Sequence, residues 1–369
     1  MVSHLKTANM KHPQCLPIEL FYLIADFACR EALFSMRSVD RFLCKVATPR
    51  AFRVLLWRDS PESVSSLCQL LCCRHLRGIV EEIICCRDKQ TQNLSDDRHV
   101  HDTQLLLAFS LFRCLPALRA LSIDLLSCCG AFQRDVIAFL SISPPLTPLR
   151  ALSLHNISPW SEGFDLDPLS RGLAQLSISI ATHRPPADVP FWAGFVPRLL
   201  QAPANTLTSL ALHTGDAPPH QLNLRGLFYP HLRRLSLGCI FLDKPAGAEE
   251  FILAHAQTLV SLRLRDCKIK PTSEIPGRTW GHVYGVLGER MECLRELDVT
   301  NEGDGVAYCP RAVHVPTILP EFGGWPLWKA WDARELEKLK EIVRVRAADV
   351  DKDGRVGWGS WADAASPAF

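Results

Sequence analysis

Near the C-terminus, residues Ala348 to Trp361 read ADVDKDGRVGWGSW. Asp349, Asp351 and Asp353 alternate, Gly354 sits at a sharp-turn position, Arg355 offers a backbone carbonyl and Val356 a hydrophobe. That order of oxygen donors around a glycine is the order of a calcium loop. Two features depart from it. The closing position holds Ser360, whose hydroxyl cannot replace a bidentate carboxylate, and only about nine residues follow, too few for a full second helix. The expectation is therefore a helix end followed by an Asp-Gly turn. A weak calcium site at Asp349, Asp351, Asp353 and Arg355 is the alternative.

Cysteine and histidine give a second candidate chemistry. Cys68, Cys72, Cys73 and His75 are followed by Cys85 and Cys86, then by His99, His101 and Asp102. Structural zinc needs two tight ligand pairs. Cys72 and His75 have the spacing of one pair, but neighbouring cysteines on a helix or strand point apart. Buried thiols on amphipathic elements are the expectation. The chain contains no Gly-x-Ser-x-Gly, phosphate loop, His-Glu-x-x-His or dinucleotide fingerprint, so nothing nominates a catalytic group. The expected protein is not an enzyme and carries no cofactor.

The bulk properties narrow the partners. With 41 Lys+Arg against 39 Asp+Glu, the net charge of +2 provides no field for nucleic acid or an acidic membrane. No apolar run approaches the length of a membrane span, and the opening MVSHLKTANMKHPQ lacks the apolar segment of a secretory signal. The fifteen cysteines are then expected to be reduced thiols in a cytoplasmic or nuclear protein.

What must position any functional surface is a repeat. LRALSI at Leu118, LRALSL at Leu149, LAQLSI at Leu173, LTSLAL at Leu207, LRRLSL at Leu232, LVSLRL at Leu259 and LRELDV at Leu294 share Leu-x-x-Leu-x-[Leu/Ile/Val]. VEEIIC at Val80 is a degenerate eighth copy. Each copy alternates apolar and polar residues over its last four positions, which predicts a short strand with one buried face. Between copies lie helical patterns such as AFQRDVIAFLSI, AEEFILAHAQ and GHVYGVLGERM. One strand and one helix per repeat, each burying its neighbour's apolar face, predict a solenoid. Only the copy at Leu259 carries the Cys267 and Ile269 typical of leucine-rich repeats, so an irregular arc is expected. Pro-rich stretches (SISPPLTP, ATHRPPADVP, GDAPPHQ, IKPTSEIPGR) mark its loops. The residues between the two apolar strand positions face solvent: Ser122, Ser153, Ser177, Ala211, Ser236, Arg263 and Asp298. They form the candidate binding row.

Both ends need closing elements. Toward the C-terminus, GGWPLWKAW is rich in tryptophan, and Asp332 is placed to cap a helix running to Arg346 with Leu336, Leu339, Ile342 and Val343 on one face. Large aromatics and an apolar helix face suit a solenoid cap, and a protein-binding patch is the alternative. At the other end, Leu20, Leu23, Ile24 and Phe27 recur at helical spacing after Pro17; Leu33, Met36, Val39 and Phe42 make a second stripe; a third helix is expected from near Pro49 through Phe52, Val54 and Leu55. So small a helical unit gains from docking onto a partner.

LPIELFYLIADF followed by LFSMRSVDRFLCKVATPRAFRVLLW resembles an F-box over about 45 residues. The resemblance rests on Leu16, Pro17, Glu19, Leu20 and Ile24, then Arg37, Val39, Arg41 and Phe42. Asp40 departs from it, at a position where related proteins often carry Ser or Cys. The resemblance implies a substrate receptor of a cullin–RING ubiquitin ligase. Leu16, Pro17, Leu20, Ile24, Val39 and Phe42 would then dock on a Skp-type adaptor, and the repeat arc would hold an unidentified protein substrate. The expected architecture is α/β: an F-box-like helical module over 13–60, an irregular leucine-rich-repeat solenoid over 61–315, and a Trp-rich cap with an EF-hand-like turn over 316–369. The alternatives are a repeat scaffold without a ubiquitin role, its N-terminal helices packed on its own repeats, and a calcium-responsive binding module.

Overall fold

The computed structural model describes residues 17–58, 60–86, 98–125, 130–142, 148–157, 167–180, 196–214, 222–242, 247–269, 279–300 and 325–352. Of the loop stretches read from sequence, ATHRPPADVP, GDAPPHQ and IKPTSEIPGR fall almost wholly outside them, and so do residues 143–147 of SISPPLTP.

The described strands form one open, all-parallel, nine-stranded sheet whose spatial order equals chain order. They are β1 (Val54–Arg58), β2 (Glu82–Cys86), β3 (Ala120–Asp124), β4 (Ala151–Ile157), β5 (Gln175–Ile180), β6 (Ser209–His213), β7 (Arg234–Gly238), β8 (Ser261–Arg265) and β9 (Glu296–Thr300). Each strand pairs only with its neighbours in sequence, as the repeat predicts for a solenoid. The repeat leucines are its interior. The leading residues Leu118, Leu149, Leu173, Leu207, Leu232, Leu259 and Leu294 are all buried, and so are the strand residues Leu121, Leu152, Leu176, Leu210, Leu235 and Leu262.

Three sequence expectations change. The ladder is more regular than the missing asparagines suggest. Residues entering each strand hydrogen-bond across the whole row: Arg119 N to Glu81 O, Arg150 N to Arg119 O, Ala174 N to Arg150 O, Thr208 N to Ala174 O and Arg233 N to Thr208 O, all at 2.7–2.9 Å. Backbone groups carry the repeat there, with Thr208 Oγ1 adding a bond to Ala174 O (2.9 Å), and the described pairings shift register only between Leu154 and Ile157 of β4, where Asn156 takes a left-handed conformation (φ 59°). At the one leucine-rich-type position, Cys267 Sγ donates to Leu237 O at 3.3 Å, and burial pushes its thiol up to about 12, so it is a structural group and not a nucleophile. Second, the third N-terminal helix stops at Ala51, and Val54 and Leu55 belong to β1. The sheet thus starts inside the 13–60 segment.

The helices lie behind the sheet. α1 (Ile18–Phe27), α2 (Arg30–Val39) and α3 (Arg41–Ala51) precede β1 and have a small core of their own: Ala25, Leu33, Val46, Ala47 and Ala51. Asp40, the departure from the F-box pattern, is the N-cap of α3, accepting from Leu43 N at 2.8 Å. Then come α4 (Pro61–Cys72), capped by Ser60 with proline at its first position, α5 (Arg74–Arg77), α6 (Arg98–Leu111), α7 (Gly130–Ile142), α8 (Asp167–Ser170), α9 (Val196–Gln201), α10 (Ala248–Ala254), α11 (Trp280–Arg290) and α12 (Trp325–Lys352). None of the described helices is long and apolar enough to cross a membrane.

The third change is at the C-terminal end. α12 starts at Trp325, so Asp332 lies inside it and cannot be its cap. Asp332 instead accepts from Gly281 N, at the start of α11. Leu339 and Val343 are buried on the predicted face, with Leu336 packed beside them. The helix then continues through Asp349 and Asp351 to Lys352, where the calcium-loop reading requires a turn. Asp353, Gly354, Arg355, Val356 and Ser360 lie outside the described residues.

A polar joint stabilises the middle of the arc. His255, 1 % exposed, accepts from Tyr229 N through Nε2 (2.9 Å), while Nδ1 faces Phe251 O (2.7 Å). That pairing requires the neutral ring with its proton on Nδ1. Burial lowers the imidazole's affinity for protons, and the bond to Phe251 only partly opposes it. The unfolded state therefore binds the proton more readily, and the contribution present above about pH 6.5 is lost as pH falls below it. Urea midpoints at about pH 7.5 and pH 5 should differ more for wild type than for His255→Gln. Equal differences in the two proteins would refute this role.

Candidate functional site

Two surfaces can engage a partner, and the fold builds both from residues singled out in the sequence. The first is the sheet face that points away from the helices. Its central row is in exact register across all nine strands: Leu56, Ile84, Ser122, Ser153, Ser177, Ala211, Ser236, Arg263 and Asp298. All seven predicted row residues are thus brought together, each partly exposed. Leu56 and Ile84 extend the row and were missed. Their signals were present: Phe52-x-x-Leu55-x-Trp57 is the repeat with aromatic substitutes, and VEEIIC is the degenerate copy. The row grades from apolar at β1–β2, through small residues at β3–β7 (serines, with Ala211 on β6), to charge at β8–β9. There Arg263 and Asp298 pair with each other at 2.7 Å, so their charges are largely satisfied internally.

Two residues further along each strand, a second row carries Cys86, Asp124, His155, His213, Gly238 and Arg265. Asn156 donates to Asp124 at 2.7 Å, and Gln133 of α7 donates to the carbonyls of Leu125 (3.0 Å) and Asn156 (3.3 Å), fixing the exits of β3 and β4. Burial holds His155 below the usual imidazole range; Asp124 opposes that shift and His213 adds to it. The His213 ring lies against Gly238, where an added Cβ would sit 2.0 Å from it. Only glycine at 238 leaves room for that ring.

The cysteines do not converge. Cys85 and Cys86 face opposite sides of β2, Cys72 and Cys73 are exposed at the end of α4, and Cys68 is half-buried. Among the described residues no three His, Cys, Asp or Glu side chains are placed to hold a metal ion. The side chains of His99, His101 and Asp102 lie outside the described set.

The second surface is the outer face of the N-terminal helices. Ile18, Leu20, Leu23, Ile24 and Phe27 of α1 are 39–85 % exposed, and Val39 at the end of α2 is 68 % exposed. Pro17 is exposed and Leu16 lies outside the described residues. Phe42 is half-buried and packs edge-on against Phe21, with ring centroids 5.6 Å apart, so it supports the face from beneath. Arg37 locks α2 to α3: Nε donates to Thr48 at 3.0 Å, and the guanidinium lies 4.6 Å from the Phe52 ring centroid. Arg50 pairs with Asp26 and holds α1 on α3. Phe52 packs on both the helical core and the sheet core, and so joins the two units.

Compared with known proteins, the chain matches no family model, and no curated protein matches it at a significant level.

Proposed function

We propose that this protein is an F-box substrate receptor: its N-terminal helices dock on a Skp-type adaptor of a cullin–RING ubiquitin ligase, and its repeat sheet holds a protein substrate. The observation that carries the reading is the exposed outer side of α1. Six large hydrophobes (Ile18, Leu20, Leu23, Ile24, Phe27 and Val39) stand in solvent on a unit with a core of its own. Four of them, Leu20, Leu23, Ile24 and Phe27, fall on one side of α1 within about 100° of its circumference, and an apolar face of that kind marks a protein interface. Leu20, Ile24 and Val39 are among the residues the F-box resemblance assigns to adaptor contact. The scaffold reading needs Leu20 and Phe42 against the chain's own repeats, whereas Leu20 is exposed and Phe42 packs within the helical unit.

The mechanism is proximity. The chain makes no covalent bond; holding substrate near the ligase's transfer machinery raises the effective concentration of substrate lysines. Co-precipitation with the adaptor tests the reading. Wild type should capture it, and Leu20→Asp with Ile24→Asp should lose roughly a hundredfold in affinity, as expected for charges placed in an apolar interface. Both side chains are exposed, so the variant should melt with the wild type. Equal capture by the two proteins would reject the assignment.

A further inference from the structure

From β3 onward the edge at which the chain enters the sheet is basic. Arg113, Arg119, Arg150 and Arg171 are all exposed, and none forms an ion pair with a described residue. Arg119 and Arg150 hold the same position on adjacent strands, with Arg150 N bonded to Arg119 O at 2.7 Å. Strand spacing puts their backbones about 4.8 Å apart. Arg171 stands three residues before Ala174, the next member of that row, and Arg113 lies in the turn that feeds β3. Arg233, exposed, continues the row at β7. The segments entering β3 to β8 (112–120, 148–151, 170–175, 203–209, 229–234 and 255–261) contain no Asp or Glu, and the row's flanking carboxylate is the exposed Glu81, beside Arg119 on the β2 side. The carboxylates of this part of the sheet, Asp124 and Asp266, stand at the opposite, exit edge.

Like charges side by side on neighbouring strands destabilise a sheet unless an anion lies between them. Four guanidiniums on one edge, each with several unshared donors, suit carboxylates. We propose that this edge is the docking site for an acidic, Asp/Glu-rich extended segment of the protein substrate. The inference rests on the reading of the sheet as a substrate holder and names the class of substrate. Cations spread from β3 to β7 over about 19 Å match the distributed charge of roughly six extended residues. A nucleic acid is disfavoured because the net charge of +2 gives the whole molecule no field for a long polyanion.

The test is fluorescence anisotropy on the full chain with a labelled peptide of alternating Glu and Ala, its phosphoserine counterpart, an alternating Lys and Ala control and a single-stranded oligonucleotide. The Glu peptide should bind and the Lys peptide should not, with affinity falling as salt rises. Arg119→Glu with Arg150→Glu, and the milder Arg119→Gln with Arg150→Gln, should weaken binding by about tenfold or more without lowering the melting temperature. Binding unchanged in both variants overturns the proposal, as does binding confined to the phosphoserine peptide or to the oligonucleotide. Because no adaptor is present, failure here is distinct from failure of the adaptor co-precipitation.

Discussion

Phe112→Ala is expected to lower the free energy of unfolding by about 4 kcal/mol, the scale of an aromatic deletion in a closed core. Phe112 is fully buried just after α6. It packs edge-on against Phe109 (5.3 Å between centroids) and Trp57 (6.2 Å), which themselves meet at 5.5 Å. Trp57 lies on β1, the strand that follows directly from the N-terminal helices, so this trio fixes β1 against α6 at the first edge of the sheet core. In a solenoid each repeat rests only on its neighbours. The damage should therefore stay local, with hydrogen exchange rising at 82–86 and 120–124 and staying unchanged at 261–265. Adaptor capture should survive, because α1–α3 have a separate core. A loss below about 0.5 kcal/mol, the size of a surface change, would show that the trio is not what holds β1 on the sheet core.

The parts of the fold that could be read in sequence are those where a single residue type repeats a single job. Leu118 through Leu294 each enter a strand and are each buried, so the spacing of leucines gave strand number and order for β3 to β9. β1 escaped notice because Phe52 and Trp57 replace leucine in its copy, and because Phe52 also serves the helical core. Its residues fit a helical stripe as well as a strand, and only pairing of Val54–Arg58 with Glu82–Cys86 decides between them. The regular ladder was equally hidden. It is made by backbone N–H and C=O groups, which leave no mark on side-chain identity.

The sheet row was legible because side-chain alternation and parallel register together place equivalent residues on one line. What that row does was not. Sequence shows Arg263 and Asp298 as two separate charges, while adjacency of β8 and β9 makes them partners. The basic entry edge shows the same limit. Arg119 and Arg150 are 31 residues apart and become neighbours only through the crossover. Asp332 was misassigned for a related reason: an aspartate before an amphipathic run looks like that helix's own cap, and only tertiary packing shows which helix it serves.

That packing gives the other large effect. α11 and α12 run parallel, and α12 provides a counter-group at both ends of α11. Asp332, fully buried, accepts from Gly281 N at 2.7 Å where the dipole of α11 is positive. Arg346 donates to Gly288 O (2.9 Å) and Met291 O (2.7 Å) where it is negative. Between them Trp331 lies over Gly281, and Ile342 with Leu339 over Gly288, positions at which both helices come close. Beneath sit Trp280, Tyr284 and Leu287, all buried, which the open end of the sheet would otherwise expose. Asp332→Ala leaves a buried N–H unpaired and removes the charge at the helix start, and should cost about 3 kcal/mol. Asp332→Asn keeps an acceptor and should cost roughly half as much. Arg346→Met, which retains the apolar stem, should cost about 1 kcal/mol. The two ends act on one helix, so the double variant Asp332→Ala with Arg346→Met should lose less than the sum of the single losses once α12 has come away. Denaturant titrations of the four variants decide it. If Asp332→Ala and Asp332→Asn are equally stable, the carboxylate is not clamping α11, and burial of the apolar face of α12 alone closes the solenoid.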